Sequence, residues 1–177
     1  MKCVGVDAST SCTGYSVFED GVLVDYGAIK PKGKDWRERL VAEGPEFKAL
    51  LKKHRPDIIY MENVPLMKKR QMETLVILGA CQGYVLGIAS SIGIPIEFLM
   101  PSEWRSQVEL YDGTRKGTTR DEMKHKAIEV ANKEFGLDLK WYSPSSTRND
   151  DDIAEAILIA WSQIKPKSKF GKPKSHR

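Results

Sequence analysis

Short apolar runs that end in acids alternate with longer stretches of helical period along this chain. Residues 3–7, CVGVD, make a buried-type strand closed by Asp7. A Ser/Thr/Gly turn follows, and then a second strand at 14–18. Glu19-Asp20-Gly21 is a hairpin turn leading into a third strand at 22–29, since an acid-Gly pair between apolar runs favours a tight reversal. KPKGK at 30–34 is a loop, and 36–54 has helical spacing with Leu40, Phe47, Leu50 and Leu51 on one side. Pro45 inside it predicts a kink or a split. Arg55-Pro56 stops that helix, and 57–63, DIIYMEN, reads as a fully buried strand with Glu62 at its end.

The second half is mostly helical. A long helix is expected over about 69–91, and its Gly79, Ala80, Gly83, Gly87 and Ala89 suit close packing on a sheet. Gly93 ends it, and 94–100 is the fifth strand. Pro101 opens a short helix over 101–108, the proline fitting a first helical turn. A Gly/Thr-rich basic loop occupies 111–122, a helix 123–135, a further loop, and a last helix 150–163. No internal repeat is present. The order β-β-β-α-β-α-β-α-α-α predicts an α/β fold: one five-stranded mixed sheet, an antiparallel meander beside parallel strands, with helices on both faces.

Composition fits one soluble domain with a single core, at 41% hydrophobic and 29% charged residues over 177 positions. No apolar run is expected to span a bilayer, and the N-terminus lacks the plan of a signal peptide. Cys3, Cys12 and Cys81 are scattered and odd in number. That pattern argues against disulfides or a zinc site and for reduced thiols in the cytoplasm. Charge changes the picture more. Residues 165–177 hold six Lys/Arg and no acid, whereas 1–164 carry 22 basic against 24 acidic groups. The domain is therefore expected over 1–164, with 165–177 a basic, disordered tail able to touch a polyanion.

The acids carry the candidate chemistry. Asp7 and Glu62 both end buried strands, and adjacent parallel strands would put them on the sheet edge where α/β proteins bind ligands. Two carboxylates so placed repel unless one is protonated or a cation sits between them. All-oxygen ligands favour Mg²⁺, with Mn²⁺ the second choice. On the last helix Asp152 and Glu155 stand at i and i+3 on one face. Beside them Ile153, Ala156, Ile157 and Ala160 form an apolar face able to pack on the sheet. Asp150 and Asp151 suit the N-cap and first turn. Four carboxylates can hold two metal ions about 4 Å apart for in-line phosphoryl displacement.

Three segments in order resemble the RuvC family of Holliday-junction resolvases, of the RNase H-like superfamily. VGVDASTSCTGYSVFEDG resembles its opening strand, acid, small-residue turn and T-G-Y/W strand. RPDIIYMENVPLMKK resembles its second motif, a Glu closing a strand. DDDIAEAILIA resembles its third, a helix with D-x-x-D and A-apolar-A. The resemblance implies an RNase H-like fold and a homodimeric, Mg²⁺-dependent endonuclease that cuts branched DNA with two ions per site. It implies that Asp7, Glu62, Asp152 and Glu155 are catalytic metal ligands. Glu155 stands where Asp is usual, and Asp151 is the alternative to Asp152. PSEWR resembles P-x-x-V-K, which makes Arg105 a DNA contact; Lys124 matches a second family Lys. Where bacterial members often carry an aromatic residue this chain has Pro65, followed by Leu66 and Met67 as candidate wedges. That departure, with no extra domain, suits a compact phage-type member. The long helix is implied as the dimer interface. Nothing bears on a branch-migration motor.

Two other readings compete. One is an RNase H-like nuclease with another nucleic-acid substrate. The other is an actin-type ATP-binding protein, whose D-x-G-x-T-x-x-G loop is close to DASTSCTG; Ser9 replaces its first Gly, and the chain is short for the two domains of that fold. The histidines add little, and Trp104, next to Arg105, is the tryptophan to test as a base-stacking side chain.

Overall fold

The first three strands run β1 (Lys2–Asp7), β2 (Thr13–Glu19) and β3 (Val22–Ile29) in a computed structural model that describes residues 1–64, 72–111 and 117–165. Asp20 and Gly21, both at positive φ (50° and 83°), turn the β2–β3 hairpin, as the mirror-image turns of two-residue hairpins require. Helix α1 (Trp36–His54) precedes β4 (Ile58–Glu62); α2 (Met72–Ser90) precedes β5 (Ile96–Leu99). Three helices close the chain: α3 (Pro101–Gln107), α4 (Arg120–Phe135) and α5 (Asp151–Ile164). The sheet order is β3-β2-β1-β4-β5, with β1 antiparallel to β2 and parallel to β4. The expected mixed sheet is present.

Strand alternation sorts the residues of β1 between two cores. Val4 and Val6 join Ile59, Met61, Phe47, Leu51 and Val85 on the side of α1 and α2. Cys3 faces the other side, with Tyr60, Trp104, Ile128 and the α5 residues Ile157 and Leu158. Asp7 shares the parity of Cys3, and Glu62 that of Tyr60, so both acids belong to the α5 face of the sheet.

Two glycines let α5 lie almost on the strands. A Cβ at Gly5 would stand 2.1 Å from the Ala156 carbonyl oxygen, and one at Gly14 only 1.9 Å from that of Asp152. Ser16 Oγ donates to the Ala156 carbonyl at 2.9 Å, fixing the approach. Helices α3 and α4 cover the far side of α5, so Ala154 through Ala160 are all buried. The predicted single apolar stripe on this helix is therefore too narrow.

Helix starts follow their caps. Asp35 Oδ1 accepts from Arg37 N and Glu38 N at the start of α1. Thr119 and Glu122 form a capping box on α4, which begins three residues before the predicted position. Asp150 takes the N-cap position of α5 but does not cap it. Its Oδ2 instead accepts from Lys140 N at 2.8 Å.

Three expectations need correction. Pro45 does not split α1, which runs unbroken. Pro45 and Val41, whose carbonyl loses its partner, are both exposed, so water can satisfy that carbonyl. The glycines of α2 do not pack on the sheet. Cys81, Val85 and Ala89 face inward, whereas a methyl carbon added at Gly79, Gly83 or Gly87 would meet nothing within 4 Å. Finally, among the described residues α2 is long and apolar enough to cross a membrane by length and composition alone. Residues 166–177 of the basic tail, 112–116 of the basic loop, and Pro65, Leu66 and Met67 lie outside the described residues.

Candidate metal centre and its relatives

Asp7, Asp152 and Glu155 each present a carboxylate oxygen, and these three atoms lie within 4.8 Å of one another. Asp7 arrives from the end of β1, and the other two from the first turns of α5, held down over Gly14 and Gly5. Glu62 ends the neighbouring strand, one residue past the last paired positions Val6 and Met61. Its Oε2 accepts from Trp104 Nε1 at 2.8 Å and from Arg105 Nη2 at 3.0 Å. The four acids line one cleft of about 730 Å³ at the C-terminal edge of the parallel strands, together with Arg105 and Lys124.

Electrostatics here are frustrated. Burial, and then the charges of Glu155, Asp152 and Glu62, push the Asp7 carboxyl well above the usual carboxylate range. Burial likewise raises Glu155, to about 7, although the Arg105 charge opposes it. Asp152 is raised by burial too, while a hydrogen bond from Cys12 works the other way. A buried cluster of acids that resists ionising is suited to a hard divalent cation, whose charge would reverse each of these shifts.

Two basic side chains already lean on the cluster. Arg105 Nη2 also lies 3.3 Å from Glu155 Oε1. Lys124 Nζ pairs with Asp151 and stands 3.8 Å from Asp152 Oδ1. Burial alone would lower the Lys124 ammonium, but the Asp151 hydrogen bond and the Glu155 and Asp151 charges raise it. Asp151, the alternative ligand, is thus engaged by Lys124, and Asp152 is the residue grouped with Asp7 and Glu155. Arg105 and Lys124, expected on DNA, line the same cleft but point at acids. Trp104 is fully buried and bonded to Glu62, so it offers no face to a base. Sequence reasoning misses Cys12, the Trp104 contact and the Lys124–Asp151 pair, because no local spacing signals contacts made across the fold.

No family model matches the chain. Among curated proteins it is 30% identical over 106 residues to the crossover junction endodeoxyribonuclease RuvC of Nitratidesulfovibrio vulgaris strain Hildenborough, covering 58% of this chain and 63% of that protein. Its match thus spans less than two thirds of that relative's length. Longer matches join it to the RuvC proteins of Gloeobacter violaceus, 28% identical with 90% of this chain and 86% of the relative covered, and Pelotomaculum thermopropionicum, 29% with 90% of each. In fold it resembles Thermus thermophilus RuvC in complex with a Holliday junction substrate, at TM-score 0.67 and 18% identity over 92% of both chains. Fowlpox virus resolvase, in complex with Holliday junction DNA, follows at TM-score 0.57 and 15% identity, with 93% of this chain and 97% of that one covered. In its ordered motifs and over the longer curated matches the chain is similar to RuvC proteins, and its fold is that of RuvC.

Proposed function

We propose that this protein is a metal-dependent, structure-selective endonuclease that cuts branched DNA such as Holliday junctions. The observation that carries it is the meeting of Asp7, Asp152 and Glu155 at one sheet edge in a chain similar to RuvC proteins. Asp7, Asp152 and Glu155 would hold a divalent cation, with Glu62 completing a site for a second. Mg²⁺ is favoured by the all-carboxylate donor set, with Mn²⁺ tolerated. Bound there, the metal supplies Lewis-acid activation of a water and of the phosphodiester. The chain's own part is to hold the acids rigidly on strand ends and one helix, and to shield part of their charge. Lys124 does so for Asp151 and Asp152, and Arg105 for Glu62 and Glu155.

The working form in this proposal is a homodimer, since a four-way junction presents two equivalent strands. Its support is the outer face of α2. Met72, Val76 and Leu86 are 80%, 58% and 45% exposed, and Gly79, Gly83 and Gly87 share that face at spacings of four. An apolar stripe with a glycine seam suits close helix–helix packing between copies better than contact with water. The deciding experiment is cleavage of a synthetic four-way junction beside linear duplex of the same sequence, with and without Mg²⁺. Symmetric, Mg²⁺-dependent nicks in the junction alone are expected; equal cutting of the linear duplex would overturn the proposal.

A further inference from the structure

Around the α4–α5 connection the chain carries two aromatic pairs, one of ring on ring and one of ring and guanidinium. The His125 imidazole, from α4, stacks on Trp141 with centroids 5.3 Å apart and planes at 24°. On the next residue, Tyr142, the Arg148 guanidinium lies 4.6 Å from the ring centre. Tyr142 is 54% exposed, and Arg148 is exposed as well.

These rings are held in place. The buried Asn149 accepts from Tyr142 N through Oδ1 at 2.8 Å and donates to the Ser143 carbonyl through Nδ2 at 2.7 Å. Asp150 and Lys140 exchange two further hydrogen bonds through their backbones and the Asp150 carboxylate. Asn149 and Asp150 lead straight into α5, so Tyr142 is one hydrogen bond and three residues from Asp152. His125 adjoins Lys124, which pairs with Asp151. The backbone under the ledge is therefore tied through Asn149 to the start of α5, the helix that carries Asp152 and Glu155.

Its charge is selective. Lys140 is paired with Asp138, and His125 faces Glu129 at 3.8 Å. Among the described residues no carboxylate lies within ion-pair distance of Arg148. An open aromatic face with one uncompensated, planar cation fits a nucleotide, through its base on the ring and its phosphate on the guanidinium.

We propose that Tyr142 and Arg148 form a stacking ledge for an unpaired nucleotide splayed from the DNA next to the cut site. This rests on the branched-DNA proposal above. Full-length protein in EDTA, where no strand is cut, would be titrated onto a four-way junction and onto fully paired duplex, each carrying 2-aminopurine, at the branch in the junction. Tyr142→Ala should weaken junction binding about tenfold and duplex binding by less than about twofold, while Tyr142→Phe keeps junction affinity, because stacking needs only the ring. Arg148→Ala should weaken junction binding and lower the salt slope by about 0.7–0.9. Quenching of 2-aminopurine in the junction should be lost with Tyr142→Ala. Unchanged affinity in Tyr142→Ala, or an equal loss on duplex, overturns the ledge. A wild-type protein that binds the junction no better than duplex overturns the branched-DNA proposal itself.

Discussion

Arg105 holds Glu62 by a 3.0 Å ion pair while the same nitrogen stands 3.3 Å from Glu155. One guanidinium thus occupies the space between two of the four acids, and the Trp104 indole N–H shares its hold on Glu62 at 2.8 Å. A cation entering between Glu62 and Glu155 must displace this side chain. Arg105→Gln should therefore bind Mn²⁺ more tightly without DNA, on the order of tenfold, equivalent to about 1.4 kcal/mol. Paramagnetic resonance of free Mn²⁺ in a titration reads this directly, and weaker binding in the variant would contradict it.

Asp7→Asn removes the central acid of the group of three. We expect junction cleavage to fall below detection while junction affinity is kept or rises, since less negative charge faces the phosphates. Single-turnover cleavage and a mobility shift on the same substrate separate the two. Wild-type cutting by this variant would remove Asp7 from the site.

Acidity should govern metal uptake. Burial raises Glu155 to about 7 against its ordinary value near 4.5. The folded, metal-free protein keeps this proton where the unfolded chain has lost it. The raised carboxyl therefore contributes stability below the unfolded value, and that contribution fades as pH rises from about 4.5 to about 7. Mg²⁺ needs the ionised form, so its affinity should climb through the same window, and binding near pH 6 should release protons. Calorimetry in two buffers of different ionisation enthalpy measures that release; none at pH 6 would contradict the assignment.

Gly14→Ala places a methyl carbon against the Asp152 carbonyl, and the helix must lift. A loss of about 1–3 kcal/mol or more is expected from such overpacking, with Mn²⁺ affinity falling alongside it. Denaturant melts and metal titration check both effects. A variant as stable as the wild type would show that α5 does not rest there.

Gly83→Trp tests the outer face of α2. A Cβ added at Gly83 meets nothing within 4 Å in one copy and the position is exposed, so the fold should survive. If α2 is the proposed dimer interface, sedimentation should then find a dimeric wild type and a monomeric variant. An unchanged mass would move the interface elsewhere.

Much of this is legible in the chain itself. The meander, the buried strand ending in Glu62 and the helix starting near Asp150 each follow from local pattern, and strand parity puts Asp7 and Glu62 on one face. Other features depend on contacts between distant segments. In α2, Val76 and Leu86 on the outer face are as apolar as Ile77, Leu78 and Val85 on the inner one, so polarity does not tell which side meets the sheet, and its glycines face away from the side expected of them. Arg105 reads as a surface charge because its acidic partners lie 43 and 50 positions away. Trp104 is a candidate for base stacking only until the core closes over it. Pro45 is tolerated because it and Val41, whose carbonyl it leaves unbonded, both face water.

The contact of α5 with Gly5 and Gly14 is made by main chain against main chain. Carbonyl oxygens of the helix face α-carbons of the strands, so the spacing of Asp7 from Asp152 does not depend on which apolar side chains fill the layers around them. Exchange of Ile157 for Leu, or of Ile128 for Val, would change the shape or volume of the interior packing without resetting that spacing. Such a design leaves most of the interior open to sequence drift and concentrates intolerance in two residues that carry no side chain at all.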